Sequence, residues 1–247
     1  RIEQINPVQY ARSRNFSDGT VTHLSPYISR GVISTKQVFD HLLSLDLPWQ
    51  RIEKLVQELA WRDYWQNTWI AKGDGINEDL KHAQDPVSNH GISDAIVDHS
   101  TGINAIDDAI GNLYKNGYMH NHMRMYVASV ACNVAQSHWL TPARWMYYHL
   151  LDGDWASNAL SWQWVAGSNA NKKYYANQDN INKYFNSSQK QTFLDIDYGQ
   201  FSTLTIPEVL AEVSDFDSQT KLTDTADIQL ERDKKTLVYN YYNLDPD

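Results

Sequence analysis

The chain of 247 residues has a single cysteine, Cys132. One thiol can form neither an internal disulfide framework nor a cysteine-ligated metal or iron–sulfur site. The sequence also lacks the run of about 18 apolar residues that a membrane span needs. It has no basic segment followed by an apolar one, the pattern of a secretory signal. These absences predict a cytoplasmic protein without a membrane partner.

The sequence lacks a basic surplus as well, with 21 Lys and Arg against 30 Asp and Glu and a formal net charge of −9. Proteins that bind nucleic acid through its phosphates usually carry positive charge. The acidity is uneven, because residues 190–247 hold 5 basic against 12 acidic side chains and residues 1–189 hold 16 against 18. The body of the chain is therefore nearly neutral and has room for a local basic face.

Hydrophobic residues form 42% of the chain, enough for a packed core. Apolar positions recur at helical spacing and no strand–helix alternation is present, so the pattern predicts an all-α fold. Asn116-Gly117 is a helix stop, and Thr141-Pro142 is a cap and first-turn pair. Residues 72–101 and most of the segment after 190 are predicted as irregular. Two predicted helices begin at Ser25 and at Ser34. Five more cover 50–71, 103–116, 119–138, 141–151 and 207–214.

Three segments combine polar and aromatic residues in a way that no amphipathic helix requires. They read THLSPYISRG at 22–31, GYMHNHMRM at 117–125 and DGDWASNALSWQW at 152–164. With ELAWRDYW at 58–65, and in the same order, they resemble the FAD-binding catalytic domain of the photolyase/cryptochrome family. The resemblance covers about Val8 to Tyr184 and implies the family's all-α, helical FAD-binding fold with FAD as cofactor. We expect this domain over 1–189 and an acidic C-terminal extension over 190–247 packed on it.

The resemblance also implies which residues hold the cofactor. The segment at 22–25 matches the one that wraps the FAD phosphates, and hydroxyls beside a helix start suit an anion. This chain has His23 where the family usually has a small hydroxyl residue. Arg124 is implied to pair with Asp152 near the flavin. The implied FAD-binding residues are Tyr10, Thr22, His23, Leu24, Ser25, Arg62, Asn121, Arg124, Asp152, Asp154 and Asn158.

By the same resemblance, Asn158 faces flavin N5. An uncharged amide there can accept from the N5–H of reduced flavin, whereas an Asp would bring a titratable charge, so Asn158 favours the photolyase-like branch. Trp162 and Trp139 match the first two indoles of the family's electron relay, which makes Asn158, Trp162 and Trp139 the candidate catalytic residues. The third indole is missing from DAIVDHS at 94–100. Tyr126 and Trp145 are candidate substitutes.

Two candidate substrate residues, Glu58 and Trp61, lie three positions apart on the predicted helix at 50–71 and so share one of its faces. A carboxylate beside an indole suits a flipped pyrimidine. Repair enzymes usually have Arg at the position of His122, so the imidazole weakens the repair interpretation. The spacing His120-x-His122 does not favour a metal, and none is expected. The implied substrate residues are Glu58, Trp61, Asn121, His122, Met125 and Trp164.

Three functions remain open from the sequence. The first is a light-dependent lyase in which reduced FAD passes an electron to a pyrimidine dimer in single- or double-stranded DNA. The second is a blue-light photosensor that signals to a protein partner, favoured by His122 and the acidic C-terminal segment. The third is a helical scaffold with no flavin, whose aromatic stripes are only core packing. Under every one of these functions we expect Trp65 and Trp69 to be core residues. The family's N-terminal antenna domain does not precede Arg1, so we expect a stand-alone flavin domain or one from which the antenna was removed.

Overall fold

A computed structural model of the chain describes residues 1–217 and residue 233. Within that part the fold is helical, as the sequence predicts. No helix there is both long and apolar enough to cross a membrane. The helices are α1 (Pro7–Ser13), α2 (Ser25–Ser29), α3 (Thr35–Ser44), α4 (Trp49–Lys72), α5 (Asp94–Val97), α6 (Asn104–Asn116), α7 (Asn121–Ser129), α8 (Leu140–His149), α9 (Trp155–Ala166) and α10 (Gln178–Tyr184).

Local sequence sets several helix ends. Ser34 caps α3 in a capping box with Gln37, whose side chain accepts the Ser34 N–H. Gly117 ends α6 at a φ of +65°, the left-handed conformation that glycine adopts without strain. The predicted boundaries of α3, α4 and α6 are therefore correct to within about two residues.

The predicted helix at 119–138 is wrong in its length. The α-helical part, α7, ends at Ser129. A single π-helical turn over Val130–Val134 follows it, and the helix ends there, before residue 138. The next helix begins at Leu140 rather than at a Thr141 cap. Pro142 lies in its first turn, where a missing N–H breaks no intrahelical hydrogen bond.

The segment at 207–214 is also not the predicted helix. It forms one 3₁₀ turn, Glu208–Leu210, followed by the strand β2 (Val213–Ser214). β2 pairs antiparallel with β1 (Ile92–Ser93), with Ile92 opposite Ser214. Other 3₁₀ turns cover Ile2–Gln4, Gly73–Asn77 and Tyr198–Thr203.

Helix α9 lies at the centre of the fold, packed against α4, α7 and α8. Its residues are apolar almost all round, as expected of a helix that is buried over most of its surface, and Ser161 and Trp164 are its exposed residues. A second, smaller apolar cluster joins α3 to α4 through Leu42, Ile52 and Leu55. α1 packs along the outside of α4.

The acidic segment packs on this core as far as the described chain reaches. Leu194, Phe201 and Leu210 are buried in the main apolar cluster. The boundary at 189–190 stays a prediction. The part of the expected extension after Asp217 lies outside the described residues, except for Asp233.

Candidate functional site

Asp152, in the turn before α9, forms the ion pair that the resemblance implies. Arg124 Nη2 lies 3.0 Å from each of its carboxylate oxygens, and Arg124 Nε donates to the Met119 carbonyl at 2.9 Å. The Asp152 side chain is only 6% exposed. Because one arginine contacts both the start of α7 and the acid, the two segments are held in a fixed relation.

Asp154 joins α9 to α4. Its Oδ1 accepts the Ser157 N–H and caps α9, while Oδ2 lies 2.5 Å from Arg62 Nη1 and 2.7 Å from Gln66 Nε2. Gln66 was not among the predicted site residues, although it follows Arg62 by four positions and so shares its helix face. The buried carboxylate is therefore paired and hydrogen-bonded, as a buried charge must be.

Asn158 lies one turn further along α9 and is buried. Its Nδ2 donates to the Ala143 carbonyl of α8 at 2.8 Å. A carbonyl can only accept, so this contact fixes the orientation of the amide. Within residues 1–217 and 233, Oδ1 of Asn158 has no donor. The side chain therefore presents an acceptor oxygen on the stripe that Asp154 and Trp162 share.

The segment at 22–30 reaches the same turn. Arg30 donates to the carbonyls of Leu151, at 3.1 Å, and Gly153, at 3.5 Å. Thr22 Oγ1 accepts the N–H of the buried Leu24 at 3.4 Å, and Ser25 is exposed at the start of α2. His23, with a φ of +52°, packs its ring 5.4 Å from that of Tyr118. Arg30 was not among the residues that the family resemblance implied.

A cleft of about 380 Å³ lies between the connection from α2 to α3 and the middle of α4. Arg62 lines this cleft and also pairs with Asp154, so it connects the cleft to the polar end of α9. One turn before Arg62 on α4, Glu58 pairs with Arg14 at 3.5 Å. Burial and the neighbouring Glu58 carboxylate raise the pKa of Tyr10, which packs on the smaller apolar cluster.

The start of α7 brings two imidazoles together. His120 Nδ1 accepts the His122 N–H and caps the helix. Burial, with smaller effects of His120 and Arg14, lowers the pKa of His122 to about 4, so this ring is neutral at pH 7. The Nε2 atoms of both histidines are buried without a hydrogen-bond partner among the described residues. Asn121, between them, is exposed.

The aromatic candidates divide by exposure. Trp61 and Trp164 are 51% and 41% exposed, whereas Trp162 and Trp139 are buried. Trp164 lies 5.7 Å from Tyr174 beside a shallow cleft of about 300 Å³ that Lys172 and Lys173 also line. The two exposed indoles can stack on a ligand, and the two buried ones cannot.

The remaining aromatic expectations have different outcomes. Trp65 packs against the main core, as expected for a structural residue, but Trp69 is 38% exposed, so its assignment to core packing is wrong. Of the two substitutes for the missing relay indole, Tyr126 is fully buried. Trp145 is also buried, and its Nε1 donates at 3.0 Å to the hydroxyl of Tyr114, which is 37% exposed.

Residues 55–240 match the family model described as the FAD-binding domain of DNA photolyase. The chain belongs to this family. The match confirms the resemblance and the helical fold, and it names FAD, the cofactor expected from the sequence. Because the match rests on the family as a whole, it leaves the role of each site residue as a prediction.

Individual relatives agree with the family. The deoxyribodipyrimidine photo-lyase of Alkalihalophilus pseudofirmus is 29% identical over 167 residues, which are 64% of this chain and 34% of the relative. That of Buchnera aphidicola subsp. Baizongia pistaciae is 27% identical over 237 residues, 92% of this chain and 48% of the relative. The chain thus spans about a third to a half of the curated relatives it matches.

Solved structures show the same fold. A cryptochrome from Synechocystis sp. PCC6803 superposes with a TM-score of 0.65 at 23% identity, over 72% of this chain and 39% of that one. A class III photolyase from Agrobacterium tumefaciens gives 0.63 at 22% identity, over 82% and 52%. At these identities the likeness supports the fold of the photolyase domain and no particular activity.

The polar groups at the start of α9 fit the cofactor that the family name gives. A flavin ring carries N–H groups at one edge and, when reduced, at N5, and each needs an acceptor. The carboxylates of Asp152 and Asp154 have lone pairs beyond those their arginines use, and Asn158 has an unused amide oxygen. The donor and acceptor set of the photolyase domain is therefore suited to FAD.

Proposed function

We propose that this chain is the FAD-binding part of a photolyase-type enzyme that repairs pyrimidine dimers in DNA by light-driven electron transfer. The observation that carries the proposal is the acceptor oxygen of Asn158, held in place by the Ala143 carbonyl beside two ion-paired carboxylates. When bound, reduced FAD would supply the excited electron. The protein would supply orientation, dryness and redox tuning.

The protein's own groups would orient the cofactor from three sides. Asp152 and Asp154 would accept from the ring edge and the ribose. Asn158 Oδ1 would accept the N–H of the reduced ring without adding a charge. Arg62, already in the cleft beside α2 and α3, would meet the phosphates with the hydroxyls of Thr22 and Ser25.

The substrate side would use the two exposed indoles. Trp61, which stacks on Trp65 at 5.1 Å, and Trp164 are each exposed enough for a base of a flipped dimer to stack on them, a contact worth about 1–3 kcal/mol per base. Glu58, Asn121 and Met125 would complete the pocket. Lys172 and Lys173, beside Trp164, would meet the phosphates of damaged DNA, single- or double-stranded.

The relay indoles would serve to reduce the cofactor in light. Trp162 lies on the same stripe of α9 as Asn158, and Trp139 precedes α8. Both are buried, so an oxidised indole at either position is shielded from solvent.

A photosensor that signals to a protein partner is the second candidate, and one observation favours it. The site holds His122 where repair enzymes usually carry Arg, and the low pKa of His122 leaves no positive charge there at pH 7 to meet a DNA phosphate. A sensor would use the same flavin and the same relay.

Two measurements test the proposal in order. The purified chain, mixed with FAD and desalted, should retain a flavin absorption spectrum, and colourless protein would refute the cofactor site. The reduced complex is then illuminated with dimer-containing DNA, and dimer loss is followed by chromatography. Light-dependent loss supports the lyase, whereas flavin photoreduction without any dimer loss supports the sensor. Trp61→Ala and Trp164→Ala are the matched variants, expected to lose DNA binding while keeping the flavin spectrum.

A further inference from the structure

Trp139 makes an unusual hydrogen bond. Its indole is fully buried, and Nε1 donates to Oδ1 of Asp79 at 2.7 Å. The other oxygen of Asp79 accepts the backbone N–H of Gln84 at 2.8 Å. A charged acceptor gives a shorter and stronger hydrogen bond than a neutral one. The buried indole N–H is therefore held against a base.

Two other indoles show the contrast. Trp145 donates to the hydroxyl of Tyr114 and Trp155 to the amide oxygen of Asn77, both neutral acceptors. A neutral oxygen satisfies an indole N–H, so satisfying the donor does not by itself require a carboxylate at Trp139.

Docking of the 79–84 loop does not require the carboxylate either. Gln84 already ties this loop to the segment before α8, since Nε2 donates to the Ser137 carbonyl and Oε1 accepts the Trp139 N–H. These two buried hydrogen bonds fix the loop through an amide. Asp79 thus adds something that Gln84 does not, a basic group in contact with the indole nitrogen.

We propose that Asp79 is the proton acceptor for oxidised Trp139, an inference that rests on the relay of the proposed function. One electron leaves the Trp139 indole for the photoexcited oxidised flavin by way of Trp162. The resulting indole radical cation is a far stronger acid than the indole. Its Nε1–H bond then breaks, the proton bonds to Asp79 Oδ1, and a neutral indolyl radical and a neutral carboxylic acid remain.

This transfer would compensate for the missing third relay indole. A radical cation at Trp139 can recover its electron at once, but a neutral radical must regain a proton first. Loss of the proton to Asp79 therefore prolongs the separated charge at the second indole. The DAIVDHS segment at 94–100, in which Ile96 is buried, contains no tryptophan or tyrosine to serve as the third member of the relay.

The surroundings of Asp79 allow the proton to leave. Its side chain is 20% exposed, so the acid can exchange with solvent. His138 Nε2 lies 3.5 Å from Asp79 Oδ1, and its Nδ1 accepts the Leu140 N–H, which assigns the ring hydrogen to Nε2. The histidine thus donates toward Asp79 and does not compete for the proton.

The test is transient absorption of the flavin-loaded protein after a light flash, because the cation and the neutral form of a tryptophan radical have different absorption bands. In the parent, the cation should convert to the neutral radical, more slowly in D₂O than in H₂O. Asp79→Asn keeps an oxygen for the indole but is not a base, so the proton must go to water and the conversion should slow by about 100-fold. Gln84→Ala is the matched control, because it loosens the same loop and keeps the carboxylate.

The outcomes distinguish a failure of the role of Asp79 from a failure of the tryptophan relay in the proposed function. Equal conversion rates in the parent and Asp79→Asn would overturn the role of Asp79, and so would an equal slowing in Gln84→Ala, which would make the contact structural. Absence of any tryptophan radical in the parent would instead refute the relay of the proposed function. Trp139→Phe should lack the radical signal that is assigned to Trp139. Thermal melting of Asp79→Asn shows whether this variant is folded. Asp79→Glu restores a carboxylate and should restore the conversion.

Discussion

Replacing Asp154 tests how α9 is held against α4, because a single carboxylate makes three contacts there. One oxygen caps α9 through the Ser157 N–H, and the other accepts from Arg62 and Gln66. Asp154→Ala removes all three contacts. Asp154→Asn keeps the cap, because asparagine caps helices as well as aspartate does, but it removes the charge that Arg62 faces.

The contacts set the expected magnitudes. Loss of a helix cap costs about 1 kcal/mol. Removing one partner of a buried ion pair costs about 3–5 kcal/mol, but the Arg62 side chain is 21% exposed and can turn toward water, so we expect about 2 kcal/mol here. The free energy of unfolding should therefore fall by about 3 kcal/mol in Asp154→Ala and by about 2 kcal/mol in Asp154→Asn.

Urea unfolding of the flavin-free chain, followed by far-UV circular dichroism, measures these differences. Asn6→Ala is the matched control, because Asn6 is exposed and caps α1 only through the Gln9 N–H at 3.0 Å; it should cost about 1 kcal/mol. If Asp154→Ala costs no more than Asn6→Ala, the pairing with α4 contributes nothing and the reasoning is refuted. Asp154→Asn with parental stability would refute the contribution of charge alone.

Three further predictions concern other parts of the site. Asn158→Asp should change which flavin redox state accumulates under light, and identical spectra of variant and parent would contradict its position beside N5. Neutral His122, with a pKa of about 4 against 6.5 in the unfolded chain, should stabilise the fold fully above pH 6.5 and lose that contribution as pH falls toward 4. The free energy of unfolding, measured by urea at several pH values in this range, should therefore fall more steeply with falling pH in the parent than in His122→Gln. Gln163→Leu leaves the Leu80 N–H and the Ile76 carbonyl unpaired and should cost about 2–3 kcal/mol in the same unfolding assay; parental stability would contradict this.

The amphipathic helices α3 and α6 could be predicted from the sequence pattern, whereas the central helix α9 could not. α3 and α6 carry apolar residues on one face and clear caps, Ser34 and Gly117, so periodicity and capping residues together predicted their limits. α9 is apolar nearly all round and shows no such period, because α4, α7 and α8 pack against it and bury most of its surface. It was located only through the family resemblance of the residues it carries.

In the site, residues within one short motif could be predicted from the sequence, whereas contacts between residues far apart in the chain could not. The resemblance gave the residues whose types are visible in short motifs, including the pair of Arg124 with Asp152. The contact between Trp139 and Asp79 joins residues 60 positions apart, and that between Gln66 and Asp154 joins residues 88 apart. No motif contains both members, so the folded chain was needed to bring them together.

The position of α9 explains why fold and site depend on the same residues. A helix packed against three neighbours must satisfy its buried polar side chains with groups from those neighbours. α4 supplies Arg62 to Asp154, and α8 supplies the Ala143 carbonyl to Asn158. Every one of these partners stabilises the helix packing, and the Oδ1 atom of Asn158 is left over among the described residues. A ligand that binds the folded chain and not the unfolded one stabilises the fold, so flavin bound at this acceptor should raise the free energy of unfolding as well as act in the site.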